Sequence, residues 1–250
     1  MEKRFQKDDG LIIGRNPVIE ALNAGGNIDT IYSCAEGGSI SKISAMAAER
    51  GIVFKKVSPV KLDNMCGHAN HQGVAATISC AEYVSIEDIL AFAEEKGEKP
   101  FIVICDEIED PHNLGAIIRT AEASGVHGII IPKRRSATLN STVYKTSAGA
   151  ASIVKVAKVP NLPAAIDTLK KNGVWIYGAD MNGQDVSKTD FDGAVGLVIG
   201  SEGNGIGRLV SEKCDFFVRI PMFGQINSLN ASVAAGILMY ETVRQRTNKG

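Results

Sequence analysis

The sequence predicts an α/β fold, with a carboxyl-terminal domain on a mainly parallel sheet and a small α/β domain ahead of it. Three observations carry this. From Phe101 onward, short apolar runs alternate with helical stretches, the pattern of strand–helix crossovers. FIVICD (101–106) is a continuous apolar run, as a strand buried on both faces requires. Between the halves, residues 81–100 concentrate Glu82, Glu87, Asp88, Glu94, Glu95 and Glu98 against only Lys96 and Lys99. The predicted organisation is therefore residues 1–81, an acidic linker over 82–99, and a domain over 100–250.

In the first half, Asn16-Pro17 reads as an N-cap followed by proline at the first helical position, and Gly25-Gly26 closes that helix. IDTIYSC (28–34) reads as a strand, SKISAMAAER (41–50) as a helix stopped by Gly51, and IVFKKV (52–57) as a strand. Ser58-Pro59 opens a further helix, and GVAATISC (73–80) returns as a strand. Ser85 with Asp88 marks a helix start, making 86–98 an exposed acidic helix or linker. After FIVICD come strands at GIIIP (128–132), SIVKVA (152–157), VWIYGAD (174–180), AVGLVIG (194–200) and DFFVRIP (215–221). Helices are predicted over 113–124, 161–172 and 229–246, the last being the most strongly patterned.

Composition excludes several classes. With 44% apolar residues and a formal net charge of -1, the chain reads as globular and not as a histone-like nucleic-acid coat. No apolar run reaches the roughly 18 residues of a membrane span, and the charged start MEKRFQKDDG lacks a signal-peptide core; a cytoplasmic protein is expected. The five cysteines, Cys34, Cys66, Cys80, Cys105 and Cys214, include no Cys-x-x-Cys pair, so neither a disulfide framework nor a structural metal is expected. Cys34, Cys80 and Cys105 sit in apolar stretches and read as buried thiols. Lys133-Arg134-Arg135 forms a short basic run, either a solvated loop or a phosphate contact.

Three strand-end loops have compositions that packing alone does not require, and in open α/β sheets ligands bind at such ends. DEIEDPHNLGAIIRTAEASG (106–125) offers Asn113, which can cap the following helix, and Arg119, which packing alone makes a surface residue. IGSEGNGIG (199–207) has Gly200, Gly203, Gly205 and Gly207, which allow close backbone approach to a ligand or simply a tight turn. IPMFGQINSLNASVAAG (220–236) places Ser228 and Asn230 before a small-residue helix, where one of them is either simply the N-cap or part of a site. A Walker loop is absent, and the glycine loop follows a late strand, unlike a dinucleotide fingerprint.

In this order the three loops closely resemble the motifs of the SpoU–TrmH family of RNA 2'-O-methyltransferases. Asn113, Gly115 and Arg119 carry the first; Gly200, Ser201, Glu202 and Gly203 the second; Pro221, Ser228, Leu229, Asn230, Ser232 and Val233 the third. The resemblance spans 101–250, while GRNPVIEAL (14–22) and HQGVAA (71–76) resemble the RNA-binding extension of ribosomal-RNA members.

The resemblance implies a deep carboxyl-terminal trefoil knot, a homodimer whose active sites draw on both subunits, and S-adenosylmethionine as cofactor without metal. By matching position, Ala179, Ile199, Gly200, Ile220, Ser228 and Leu229 are expected at the cofactor, held mostly through backbone groups. Arg119 is expected as the catalytic arginine, with Asn113 orienting it or the ribose, and Glu202, Ser228 and Asn230 completing the polar pocket. The substrate class implied is RNA, with a guanosine of 23S rRNA favoured by the amino-terminal unit. Transfer RNA is the alternative, as is a catalytically silent rRNA-binding assembly protein. A nucleotide-dependent dehydrogenase would need an early glycine fingerprint where this chain has DPHN.

Overall fold

The computed structural model describes residues 10–226 and 228–247; the charged start read above and Asn227 of the third loop lie outside the described residues. The chain divides into two units. One runs as far as Glu82 and includes Thr138–Ser141; the other holds Tyr83–Ala137 and the chain from Thr142.

In the first unit, β1 (Leu11–Ile13), β2 (Ile28–Ser33), β3 (Val53–Lys56) and β4 (Val74–Ile78) form a sheet ordered β1-β4-β2-β3. The helices α1 (Arg15–Asn23) and α2 (Ser39–Glu49) bury Val18, Leu22, Ile40 and Ile43 against Ile31 and Ala76. The helix α3 (Pro59–Met65) buries Leu62 against Ala75. Ala75 and Ala76 alternate between two clusters because successive strand side chains point to opposite faces. Ser58 caps α3 as predicted, accepting from the Lys61 N–H at 3.3 Å. The start of α1 differs: Gly14, at φ 99°, is the N-cap, and Asn16 lies inside the first turn. The Arg15 N–H donates instead to Gln72 Oε1 at 3.2 Å, a partner remote in sequence.

The second unit carries a six-stranded sheet of β5 (Phe101–Cys105), β6 (Gly128–Pro132), β7 (Val156–Val159), β8 (Trp175–Asp185), β9 (Val195–Ile199) and β10 (Phe216–Arg219). Its order is β10-β8-β9-β5-β6-β7 and every neighbouring pair is parallel. All the strands therefore end on one edge. Every residue of β5 is buried, and each such isoleucine or valine stabilises the fold by about 1.5–3 kcal/mol relative to exposure. Among the described residues, six helices accompany the sheet: α4 (Ile86–Glu95), α5 (Pro111–Ala123), α6 (Ser141–Thr146), α7 (Leu162–Lys171), α8 (Arg208–Ser211) and α9 (Ala231–Thr247).

Several elements depart from expectation. The acidic segment is a packed helix: Ser85 and Asp88 form the predicted capping box, and Ile86, Ile89 and Ala93 are buried beneath the acidic face. Asp110, not Asn113, caps α5, its carboxylate accepting from the His112 N–H at 2.8 Å. The strand predicted over 152–157 begins only at Val156, because Gly149 turns the chain into a 3-10 turn over Ala150–Ser152. Of the thiols, Cys66 and Cys105 are buried, while Cys34 and Cys80 are partly exposed. At Gly115 any Cβ would overlap Thr146 Oγ1, so glycine is what lets α6 lie against α5.

His127 secures the start of the central strand. Its Nδ1 accepts from the Phe101 N–H at 2.9 Å and its Nε2 lies 3.0 Å from Glu98 Oε2, which fixes the neutral tautomer with the proton on Nε2. The side chain is fully buried, and burial lowers its pKa from 6.5 against the opposing pull of Glu98. The folded state therefore binds fewer protons than the unfolded one, so this contribution is complete above about pH 6.5 and is lost as pH falls below it. Chemical denaturation should show stability dropping between pH 7 and 5.5, and His127→Gln should flatten that slope while lowering stability at pH 7.

Candidate functional site

A cavity of about 460 Å³ opens at the carboxyl ends of β8, β9 and β10, within the usual range for a small-molecule site. Each strand contributes through a local irregularity. In the β10–β8 ladder Phe217 pairs with Gly178 but Val218 with Gln184, so Ala179–Gly183 leave the ladder. Ala179 and Asp180 thereby become one wall.

The strand β9 supplies Ile199 and Gly200 and then a closed loop. Ser201 and Gly205 exchange backbone hydrogen bonds at 3.0 and 2.9 Å, and Gly205 sits at φ +64°. A Cβ on Gly200 would overlap the Gly205 carbonyl and the Ile206 nitrogen, so no other residue admits this approach. Asp106, at the end of β5, pins the same loop: Gly207 N–H donates to its Oδ2 at 2.7 Å. Asp106 is buried, which raises its carboxyl pKa, and the Gly207 bond works against that rise. Sequence reading missed Asp106; an acid closing a buried apolar strand was the available signal.

Ile220, Ser228 and Leu229 form the remaining wall with the start of α9. All six residues expected at a cofactor therefore line one cavity, and Glu202 joins them. At its side lies a polar network. Glu202 Oε1 accepts from Asn113 Nδ2 at 3.1 Å, from Asn230 Nδ2 and from the Ala231 N–H at 3.2 Å. Asn230 Nδ2 also donates to Asn113 Oδ1 at 2.8 Å. The Asn230 Oδ1 meanwhile accepts from the N–H groups of Ser232 and Val233 at 3.0 and 3.3 Å. Asn230 is thus both the helix cap that packing suggested and a member of the site. A carboxylate between two helix starts is electrostatically favoured there.

Arg119 is not brought into this cluster. It is solvent-exposed on α5, six residues or about 9 Å along the helix from Asn113. Among the described residues it has no hydrogen bond or ion pair. The described residues include no group of three or more His, Cys, Asp or Glu placed to hold a metal, and no helix long and apolar enough to cross a membrane.

Residues 100–240 match the SpoU rRNA methylase family, and residues 11–84 match the RNA 2'-O ribose methyltransferase substrate-binding family. Over 242 residues the chain is 46% identical to YacO of Bacillus subtilis, whose name places it among TrmH-family tRNA/rRNA methyltransferases, covering 96% of this chain and 97% of that one. A Staphylococcus aureus relative named for the same family is 47% identical over 247 residues, covering 97% and 99%. Among solved structures, the SpoU methyltransferase AviRb of Streptomyces viridochromogenes, in complex with the cofactor AdoMet, matches with a TM-score of 0.62 and 26% identity over 99% of this chain and 94% of that one.

The glycine geometry makes a paired prediction. Gly200→Ala should destabilise the protein by about 1–3 kcal/mol in urea titrations, the usual cost of overpacking. Gly203→Ala, where a Cβ meets nothing within 4 Å, should change stability by less than about 0.5 kcal/mol.

Proposed function

The chain belongs to the SpoU–TrmH family of RNA methyltransferases, and from that premise we propose that it methylates a ribose 2'-hydroxyl of RNA, the target being a guanosine of 23S ribosomal RNA. The observation that carries the reading is the pairing of a backbone-lined cavity with the Asn113–Glu202–Asn230 network beside it. The match of residues 11–84 to a substrate-binding family supports ribosomal RNA as the substrate, because it supplies a dedicated unit for a large RNA.

Family members depend on S-adenosylmethionine, and the cavity suits it: it has the volume, and Gly200 lets the loop that lines one wall close tightly on Gly205 and Ile206. Ala179, Ile199, Gly200, Ile220 and Leu229 would hold the cofactor through backbone groups, with Ser228 adding a hydroxyl. When bound, the cofactor supplies a methyl group on a sulfonium, ready for in-line displacement by an oxygen. The protein's part is alignment, exclusion of water and management of one proton. With a hydroxyl pKa of about 12, forming the alkoxide at pH 7 costs on the order of 7 kcal/mol.

Arg119 is the residue assigned to that cost. Arginine is a permanent cation in proteins, so Arg119 would act as a fork that clamps an RNA phosphate and stabilises the forming alkoxide, while the hydroxyl proton passes to water. Asn113 would orient the ribose, its own amide fixed by Glu202 and Asn230. Because Arg119 stands outside the cavity of its own subunit, the reading includes a homodimer in which it serves the neighbouring site. A stripe on α9 fits that assembly: Val233, Ile237 and Tyr240, at i, i+4 and i+7, are 50%, 39% and 51% exposed.

Transfer RNA is the second reading, favoured by relatives whose names include both RNAs. The deciding experiment transfers labelled methyl from S-adenosylmethionine to unmodified 23S rRNA and to tRNA, mapping the product by resistance to alkaline cleavage. A single protected guanosine linkage in 23S rRNA is expected; labelling of tRNA alone would discard the substrate, and no transfer to either would discard the activity. Arg119→Ala should lower kcat by about 100-fold or more with unchanged cofactor affinity. Near-normal turnover in Arg119→Lys would refute the need for a planar fork.

A further inference from the structure

The basic run at Lys133-Arg134-Arg135 leaves β6 at the same edge of the sheet as the cavity. In the β5–β6 ladder Ile104 faces Ile130, and in the β5–β9 ladder Cys105 faces Ile199. The strands β6 and β9 flank β5 on either side, so they deliver the basic run and the Glu202 loop to the same edge. Where their ladders end, β6 and β9 are two strand spacings apart, about 10 Å.

The run is built in place. Lys133 N–H donates to the Val159 carbonyl at 2.7 Å on one side, and Ala137 N–H donates to the Ile108 carbonyl at 2.7 Å on the other. Arg135 pairs with Glu107 at 2.8 Å, and both have positive φ, 53° and 57°. Two non-glycine residues in that region cost of order 1 kcal/mol or more each, which a merely solvated loop has no reason to retain.

The acids nearby are largely committed. Glu107 is held by Arg135, Asp110 caps α5, Asp106 is buried against Gly207, and Glu109 is exposed. Arg134 is exposed and has no hydrogen bond or ion pair among the described residues. The result is a guanidinium on a fixed backbone, its neighbour's charge already balanced.

We propose that Arg134, braced by the Arg135–Glu107 pair and flanked by Lys133, binds a phosphodiester of the substrate strand beside the methylated nucleotide. The site is sequence-independent: it fixes the position of the strand and leaves base recognition to other residues. It rests on the RNA methyltransferase reading above.

The test measures binding of the full-length protein to protein-free 23S rRNA transcript between 50 and 200 mM salt. Arg134→Ala should bind roughly five- to tenfold more weakly at 100 mM salt, and its slope of log affinity against log salt should be shallower by about 0.7–0.9. Arg134→Lys should keep the wild-type slope, since a point charge suffices to release a counterion. Cofactor affinity and thermal midpoint should be unchanged in both variants. Wild-type affinity and slope in Arg134→Ala overturn this assignment alone. A wild-type protein that binds no RNA overturns it together with the reading beneath it.

Discussion

The carboxylate of Glu202 is the point on which the candidate site depends. It gathers donors from the first turn of α5, from Asn230 and from the first N–H of α9, so two helices and the glycine loop share one anchor. The loop that carries it is positioned in turn by Asp106 from the neighbouring strand. Both acids sit at strand ends, and the sheet places those ends side by side because all its strands run one way. Parallel order, not any one side chain, is what allows residues 113, 202 and 230 to meet.

How much of this the sequence revealed follows from the range of each interaction. Ser58 and the Ser85–Asp88 box cap their helices through bonds spanning three residues, and local pattern found them. Gly14 displaced Asn16 as a cap because Arg15 is claimed by Gln72, 57 residues away. Asp110 displaced Asn113 within its own turn, and Asn113 was thereby left available to Glu202. The cavity wall at Ala179 was predicted through family resemblance alone. Nothing in VWIYGAD announces that the ladder slips between Phe217 and Val218, since the slip depends on a strand nearly 40 residues later.

The candidate cavity and the basic run of the second unit present different chemistry. The cavity is lined by a loop closed on itself, and Gly200 has no tolerable substitute there because the Gly205 carbonyl and the Ile206 nitrogen pack against it. The edge beyond it presents charge on long side chains, anchored by hydrogen bonds in the backbone beneath. A ligand of fixed shape suits the first arrangement, a polymer with a repeating anion the second.

Arg246 extends the same logic to the opposite edge of the sheet, where β5 and β9 begin. Its guanidinium lies 4.9 Å from the Phe101 ring centre and donates to the carbonyls of Lys99, Pro100 and Gly193. Those carbonyls belong to the approaches of β5 and β9, the central pair of the sheet. One guanidinium in the last turn of α9 thus ties together the entries of both central strands, reaching 146 residues back to Pro100 and 53 back to Gly193. The sheet is held by its strand ends at one edge through acids and at the other through a cation.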